Sequence, residues 1–327
     1  MFKKAVGSMK KSIDVAALGE FLVDFTCNGA SAQGNPFYEA NPGGAPCNVL
    51  AMLAKLGKRT AFIGKVGEDQ FGHLLRQVGL EAGISMDSLV MDAHSHTTLA
   101  FVKTAENGDR DFSFYRDSGA DTLLTPDEVP ENVIAQAKIF HFGSLSLTGE
   151  TVRSATQKAV ALAQAADCII SFDPNLRPPL WDSLEQAREQ IHWGLAQCDV
   201  AKISDDELLF LTGETDFDAG AAKLREQFPN LRLINVTAGA QGSIAYYQGL
   251  RVFQPGVALG GVIETTGAGD TFCACVLNFL LEHGLEQLSS DDLTQMLRFA
   301  NAAAYLVTTR RGAIRSMPER EQVLALL

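Results

Sequence analysis

The sequence Glu264-Thr265-Thr266-Gly267-Ala268-Gly269-Asp270 runs directly into an apolar stretch that extends from Thr271 to Leu281. Two glycines and an alanine at a loop-to-helix junction leave backbone N–H groups uncovered, and the positive end of the helix dipole points at the same place. Such a junction predicts a binding site for an anion, either a phosphate or a developing oxyanion. Asp270 has two roles open to it: it caps the helix, or it takes a proton from a hydroxyl group that then attacks a phosphoryl group.

The composition limits the partners of the chain. Its 327 residues are 46% hydrophobic, which suffices for one large α/β domain, with or without a small appendage. Lys and Arg total 27 against 39 Asp and Glu, for a formal charge of -12. An acidic surface repels nucleic acid and anionic lipid, so we expect neither as a partner. No stretch approaches the ~20 apolar residues that a membrane helix needs.

The N-terminus and the cysteines indicate the compartment. Residues 1–12 are basic and are followed by no apolar signal-peptide region, which favours a disordered tail. The six cysteines show no paired CxxC spacing and lie mostly in apolar surroundings. This pattern is typical of reduced thiols in a cytoplasmic protein.

Short apolar runs alternate with helical patterns along the chain. The predicted strands are Ile13–Leu18, Ala61–Val66, Lys138–Phe142, Cys168–Phe172, Val200–Ile203 and Arg232–Val236. The predicted helices are Pro46–Leu56, Gln70–Ala82, Glu150–Ala166, Ser183–Ala196, Phe217–Phe228, Thr271–Glu282 and Ser289–Val307. The alternation predicts an α/β fold with a mostly parallel central sheet, helices on both faces, and ligands at the carboxyl ends of the strands.

Two segments depart from this pattern. Residues 21–41 and 97–121 are rich in aromatic and β-branched residues, and neither is paired with a helix that would bury a second face. We expect them to form a small β-sheet that acts as a lid over the site. The rest of residues 13–327 then forms a single domain.

The two most common phosphate-binding signatures are absent from the sequence. There is no GxxxxGK[ST] motif, and no GxGxxG follows the first strand, which argues against a nicotinamide dehydrogenase. Phosphate chemistry therefore depends on the junction Gly267–Asp270. On its spacing alone, this junction is as consistent with an ordinary capped helix as with a functional site.

A second motif gives the junction a context. Asn41-Pro42-Gly43-Gly44-Ala45-Pro46-Cys47-Asn48 opens a helix, and Gly64-Lys65-Val66-Gly67-Glu68-Asp69-Gln70-Phe71-Gly72 follows it. These two runs resemble the N-terminal signature of the ribokinase-like (PfkB) carbohydrate kinases, and Glu264–Asp270 resembles their second signature. The resemblance extends from about Ile13 to Pro318. It implies a kinase that transfers a phosphoryl group from ATP to a sugar hydroxyl, and it weighs against a non-catalytic sugar-binding protein because Asp270 and its loop are intact.

By this resemblance, Asp270 is the general base. The N–H groups of Gly267, Ala268 and Gly269 hold the transferring phosphoryl group. Arg177 follows the strand before Asp173-Pro174-Asn175-Leu176, and two prolines after it stiffen a loop that directs its guanidinium toward an anion. A surface arginine in a rigid loop is the alternative interpretation.

The sugar contacts implied by the resemblance lie in the lid and at the first helix. They are Asp24, Gly43, Gly44, Asn48, Tyr115 and Arg116. Paired glycines let a polyol approach the backbone closely, since a Cβ would block it. The string Asp173–Trp181 is similar to family members that phosphorylate fructose, so fructose is the favoured acceptor. The pair Tyr115-Arg116 keeps 2-keto-3-deoxygluconate open as an alternative, and aminoimidazole riboside is a third.

The remaining implied contacts concern the nucleotide and the cations. The ATP-binding positions are Lys202, Thr237, Gly239, Gly242 and Asn301. Glu207 carries over as a Mg²⁺ residue that acts through water, although Ser204 stands where the family has Asn. Glu264 stands where the family has Asp, at a monovalent cation site that includes Thr266, so K⁺ binding stays open. The resemblance also implies a homodimer that forms through the lid.

Overall fold

The computed structural model describes residues 11–104 and 110–327, and within residues 103–112 it describes the backbone alone. The disordered tail predicted for residues 1–12 therefore lies almost entirely outside the described part of the chain. Part of the second lid segment, residues 105–109, lies outside it as well.

The described residues form one large sheet and one small sheet. The large sheet has the spatial order β13-β12-β11-β10-β9-β8-β1-β4-β5, and β12 runs antiparallel to both of its neighbours. Its strands are β1 (Ile13–Leu18), β4 (Thr60–Gly67), β5 (Ile84–Asp92), β8 (Ala137–Gly143), β9 (Ile169–Asp173), β10 (Val200–Ser204), β11 (Leu233–Thr237), β12 (Gly242–Tyr247) and β13 (Leu250–Pro255). This architecture confirms the predicted α/β fold with a mostly parallel sheet.

Helices cover both faces of the large sheet. They are α1 (Ala45–Lys55), α2 (Gln70–Glu81), α3 (Glu131–Ala135), α4 (Glu150–Ala165), α5 (Leu184–Gln197), α6 (Asp205–Thr212), α7 (Phe217–Gln227), α8 (Ala268–His283), α9 (Ser290–Thr308) and α10 (Arg320–Leu324). Helices α1, α2, α8 and α9 pack on one face, and α4, α5 and α7 on the other. Strand β1, in which Asp14 is the one polar residue, contributes to both cores: Val15 and Ala17 enter the first, whereas Ala16 and Leu18 enter the second.

The small sheet is the lid that the sequence predicts. It contains β2 (Leu22–Ala30), β3 (Pro36–Gly43), β6 (Leu99–Thr104) and β7 (Arg110–Tyr115), in the spatial order β3-β2-β6-β7. Strands β2 and β6 pair in parallel, and the other two pairs are antiparallel. Residues 116–121 leave the lid, because Gly119 bridges back to His96 and a short helical turn starts at Ala120.

Asp69 fastens the base of the lid to the main domain. Its carboxylate caps α2 by accepting the N–H groups of Phe71 and Gly72, at 3.0 and 2.8 Å. The same carboxylate accepts the N–H and the hydroxyl group of Thr97, which precedes β6, at 2.9 and 2.8 Å. Because these bonds stabilise the charged form against the opposing effect of burial, the pKa of Asp69 lies below its ordinary value.

The sequence prediction missed three strands and three short helices, and it misplaced one helix start. Strands β5, β12 and β13 and helices α3, α6 and α10 lie in segments to which no element was assigned. Helix α8 begins at Ala268, three residues before the predicted Thr271. The three added residues, Ala268, Gly269 and Asp270, belong to the glycine-containing motif. They adopt helical geometry because Gly267, with a φ of 80°, turns the chain into the helix.

Candidate active site

A cavity lies where the lid meets the carboxyl ends of β1, β9 and β10. Its volume is about 440 Å³. It is lined by Glu20, Leu22, Asp24, Gly44, Ala45, Asn48, Phe114, Leu145, Asn175, Arg177, Lys202, Ser204, Glu207, Thr265, Thr266, Gly267, Gly269 and Asp270. Ten of these residues belong to the set that the sequence predicted, and they come from segments up to 246 positions apart (270 − 24).

The N-terminus of α8 forms the floor of this cavity. Gly267 caps the helix, and Thr271 returns its N–H and its hydroxyl group to the Gly267 carbonyl at 2.8 and 2.7 Å. The N–H of Ala268 donates to the Thr265 carbonyl at 3.3 Å, so it is partly used by the turn. Within the described part of the chain, the N–H of Gly269 has no protein acceptor. The junction therefore presents uncovered N–H groups at a helix N-terminus, as an anion site requires.

Asp270 lies in the first turn of α8 and is held by Asn48 of α1. The Asn48 Nδ2 group donates to Asp270 Oδ2 at 2.7 Å. Burial raises the pKa of Asp270 above its ordinary value, and the bond from Asn48 together with the charges of Lys202 and Arg177 limits this rise. Gly267, and not Asp270, is the N-cap of α8, so the Asp270 side chain does not cap its own helix.

A buried ion pair lies beside Asp270. The Lys202 Nζ atom of β10 is 3.2 Å from Oδ2 of Asp173 at the end of β9. Burial lowers the pKa of Lys202, but the carboxylates of Asp173, Glu207 and Asp270 outweigh it and raise the pKa above its ordinary value. The same crowding of carboxylates, added to burial, raises the pKa of Asp173 to about 7. Three carboxylates thus share one buried ammonium, which is a site prepared to bind further positive charge.

Lys202 also lies directly beneath the anion site. A Cβ atom placed on Gly269 would come within 3.0 Å of Lys202 Nζ. An alanine at position 269 would therefore press on the ammonium group. The second glycine of the motif is explained by this close approach, and not by its backbone conformation.

Glu207 ties two segments of the site together. Its carboxylate closes a capping box with the N–H of Ser204 at the start of α6, at 2.8 Å. The other carboxylate oxygen accepts the N–H of Leu176 at 2.8 Å. Because Leu176 precedes Arg177, this bond positions the guanidinium that lines the cavity. Ser204, where the family has Asn, thus serves as the helix cap.

The first helix opens against a buried glutamate. Glu20, between β1 and β2, accepts the N–H of Ala45 on Oε1 at 2.7 Å. Gly44 has a φ of 125° and lies against the Glu20 carbonyl, where a Cβ has no room. Gly43 faces Asp24 across the pair β2–β3, and a Cβ there would fall 2.5 Å from Asp24 Oδ2. The glycine pair therefore allows both carboxylates to reach the cavity wall.

The structure places the two lid residues Tyr115 and Arg116 outside the cavity lining. Tyr115 is 66% exposed and packs edge-on against Phe101, with 5.3 Å between ring centroids. Arg116 is buried, pairs with Asp121 at 2.6 Å, and donates to the Leu145 carbonyl at 2.9 Å. Since Leu145 lines the cavity, Arg116 shapes the site through that backbone and does not reach into it.

The predicted nucleotide residues lie on the neighbouring strands. Thr237 ends β11 in register with Ser204, one strand away from the cavity. Gly239 starts a short helical turn, and Gly242 follows it with a φ of 115°. Asn301 of α9 is buried. Its side chain accepts a hydrogen bond from Ser243 Oγ at 2.9 Å and donates to the Gln254 and Pro255 carbonyls.

Glu264 and Thr266 lie in the loop before α8. The Thr266 hydroxyl group donates to Glu264 Oε1 at 2.7 Å. The N–H of Gly312 donates to Glu264 Oε2 at 3.1 Å. The carboxylate therefore joins the anion-site loop to the segment after α9.

Eight of the residues that line the cavity were not among the predicted site residues, and Glu20 and Asn175 are two of them. Asp173, which pairs with Lys202 beside the cavity, was not predicted either. The sequence carried a signal for Asp173, since a lysine within the apolar run Val200–Ile203 needs a buried counter-charge. Asn175 has a φ of 46° and gave no comparable signal.

Comparisons with known proteins agree with this geometry. Residues 12–320 match the model of the pfkB family of carbohydrate kinases. The chain is 40% identical to probable fructokinase-4 of Arabidopsis thaliana, over 99% of both chains. It superposes on the fructokinase of Xylella fastidiosa with bound ATP with a TM-score of 0.87, at 31% identity, over 97% of this chain and 98% of that one. A Vibrio cholerae fructokinase double mutant with bound fructose, ADP and potassium ion gives a TM-score of 0.85 at 29% identity, over 98% of this chain and all of that one.

Glu20 makes the stability of the fold depend on pH. Burial raises its pKa to about 7, against the bond from Ala45. A carboxyl group whose pKa is higher in the folded than in the unfolded protein stabilises the fold while it is protonated. This contribution is fully present below the unfolded pKa of 4.5 and is lost as the pH rises through the folded pKa of about 7. We predict that the free energy of unfolding of the wild type, relative to Glu20→Gln, falls by up to about 3 kcal/mol between pH 5 and pH 8.

Urea unfolding at each pH measures this difference. Glu39→Gln, at an exposed position of the lid, is the matched control and should give a flat difference. A difference between the wild type and Glu20→Gln that stays constant from pH 5 to pH 8 would contradict the assignment.

Proposed function

We propose that this chain, which belongs to the pfkB family of carbohydrate kinases, is an ATP-dependent fructokinase that transfers the γ-phosphoryl group of ATP to a hydroxyl group of fructose. The relatives that match it over nearly their full length bear the name fructokinase. The observation that carries the mechanism is the bond from Asn48 to Asp270 at the N-terminus of α8, inside a cavity large enough for a sugar and a phosphate.

Asp270 acts on the attacking hydroxyl group of the sugar. Its Oδ2 is occupied by Asn48, so Oδ1 is the oxygen that takes the proton. Burial raises the pKa of this carboxyl, which strengthens it as a base, and the bond from Asn48 and the charges of Lys202 and Arg177 limit the rise. Asn48 fixes the orientation of the carboxylate, so that the base does not have to be ordered at the moment of reaction.

Fixed groups of this chain stabilise the negative charge on the transferring phosphoryl group. Gly267, Ala268 and Gly269 lie at the positive end of α8, with Lys202 directly below. Arg177 lines the same cavity from the loop that Glu207 anchors. In phosphoryl transfer, positioning and charge stabilisation supply most of the rate enhancement.

The sugar occupies the lid side of the cavity in this proposal. Asp24, Gly43, Gly44 and Asn48 lie there, and they supply acceptors, a donor and close access to the backbone. Arg116 and its partner Asp121 support this wall from behind, and Tyr115 stays on the outer surface of the lid. ATP extends from the anion site toward Thr237, Gly239 and Gly242, whose loop Asn301 supports by its bonds to β12 and β13.

The residues present fit a magnesium ion that is held through water. Both oxygens of Glu207 already accept N–H groups at 2.8 Å, and each keeps a lone pair that can accept a water molecule of the ion's hydration shell. Mg²⁺ bound with ATP supplies neutralisation of the phosphate charge. The carboxylates of Asp173, Glu207 and Asp270 exceed the local cations in number, which favours a divalent ion here.

The loop before α8 fits a monovalent cation less well. Both oxygens of Glu264 accept hydrogen bonds, and one of these comes from the Gly312 backbone across the loop. We propose that the longer glutamate closes this link by itself, so that K⁺ contributes little to activity.

We predict that the rate in tetramethylammonium stays within about twofold of the rate in K⁺, because the Glu264 carboxylate already holds the loop. Glu264→Asp, which is one methylene shorter, should make the rate depend on K⁺. Steady-state assays of both proteins in the two salts at equal ionic strength measure this. A wild-type rate that drops about tenfold or more in tetramethylammonium would contradict the proposal.

The compartment and the assembly are proposed on separate observations. All six cysteines are free thiols, which supports a cytoplasmic location. No helix in residues 11–104 and 110–327 is long and apolar enough to cross a membrane. Tyr38 and Tyr115 both pack against Phe101 on one face of the lid, and they are 42% and 66% exposed. This aromatic surface supports a homodimer in which the two lids pack together.

A substrate panel tests the proposed function. We predict that kcat/KM with ATP is at least about tenfold higher for fructose than for 2-keto-3-deoxygluconate or aminoimidazole riboside. The physical reason is that Arg116, the residue suited to a sugar acid, is neutralised by Asp121 and lies behind the cavity wall. Coupled assays of ADP release at equal acceptor concentrations measure it. Higher efficiency with the keto-acid would overturn the choice of sugar, while no turnover with any sugar would overturn the kinase assignment.

A further inference from the structure

A second cavity lies at the far end of the catalytic helix. Its volume is about 300 Å³, and it is enclosed by α8, α9 and α10. The residues of α8 that line it run from Cys275 to His283, so it lies roughly 10 to 22 Å from Ala268 along the helix axis. None of the residues that line it also lines the active site. We call it the distal pocket.

The walls of the distal pocket are suited to a flat apolar molecule. Phe279 and His283 are one turn apart on α8 and stack with ring centroids 4.0 Å apart. Phe299 and Met296 of α9 form the facing wall, and Leu324 of α10 closes the side. A cavity of this volume is within the range of small-molecule sites.

A buried amide lies among these apolar walls. Asn278 lines the pocket, is 4% exposed, and belongs to the face of α8 that is otherwise apolar. Its Oδ1 atom has no hydrogen-bond partner among the described residues. A buried acceptor without a donor costs folding free energy that a leucine of similar size would not cost. A ligand with an N–H or O–H group would supply the missing donor.

The charge at the rim is positive, although the chain as a whole carries a formal charge of -12. Arg298 and Arg320 both line the pocket. Arg298 donates to the Leu327 carbonyl oxygen at 2.9 Å, and Leu327 also lines the pocket. Glu282 is the one lining side-chain carboxylate among the described residues, and it is shared between Lys58, at 2.8 Å, and Arg320, at 3.6 Å. One carboxylate does not neutralise both of these cations.

We propose that the distal pocket binds a small organic anion with a planar apolar body, a carboxylate group and an N–H donor. The carboxylate pairs with Arg320, the ring lies between Phe279 and Phe299, and the donor bonds to Asn278 Oδ1. The proposal does not depend on the kinase activity. Aromatic stacking, a charged pair and one buried hydrogen bond together define the ligand class.

Indole-3-carboxylate is the probe, and isothermal titration calorimetry on the full chain is the measurement. Titrations are repeated with fructose and a non-hydrolysable ATP analogue filling the active site. We expect a dissociation constant of about 1 mM or lower in both conditions. Indole-3-carboxamide, a neutral isostere, and 1-methylindole-3-carboxylate, which lacks the donor, should each bind about tenfold more weakly.

Two variants assign the contacts. Arg320→Gln should weaken the carboxylate probe about tenfold and leave the carboxamide unchanged. Asn278→Leu should fold with unchanged or higher thermal stability and should abolish the preference for indole N–H over N-methyl. The proposal is overturned if the wild type does not bind the probe, if active-site ligands displace it, or if Arg320→Gln binds it as tightly as the wild type.

Discussion

The hydrogen bond from Asn48 to Asp270 is the interaction on which the site depends. It joins two helices whose sequence positions differ by 222 and which pack side by side on one face of the sheet. Helix α1 begins at a glycine pair pressed against Glu20, and α8 begins at a left-handed glycine. Each helix start is therefore fixed by local backbone geometry. The base consequently has a defined position before any substrate arrives.

The charge cluster around Lys202 sets the electrostatics of the cavity. Burial raises the pKa of Asp173 and of Asp270, and repulsion from the carboxylates of Glu207 and Asp270 adds to the rise at Asp173. A metal–nucleotide complex would relieve that repulsion while the anion site accepts its phosphates. Closure by the lid, which Asp69 fastens to α2, would strengthen every one of these interactions by excluding water.

The sequence predicted the central strands and the glycine junctions because both depend on local constraints. Runs such as Ile13–Leu18 are apolar on both faces, and Gly267–Asp270 needs a special backbone conformation. It could not show that Asn48 bonds to Asp270, since nothing local connects positions so distant. The ion pair between Arg116 and Asp121 was not predicted although the two residues are only five positions apart. It forms across a turn that the sequence does not reveal. The hairpin β12–β13 was missed although Gln248-Gly249 marks its turn, because Tyr246 and Tyr247 are both buried and conceal the alternation.

The most direct test of the account is the single-turnover rate of Asp270→Asn with ATP and fructose, measured by rapid quench beside the wild type. Asparagine keeps the shape and the contact with Asn48 but cannot take a proton. We expect the rate of this variant to fall about 10²- to 10⁴-fold, while the dissociation constants for ATP and fructose change by no more than about twofold. A variant that transfers the phosphoryl group within about threefold of the wild-type rate would contradict the assignment of Asp270 as the base.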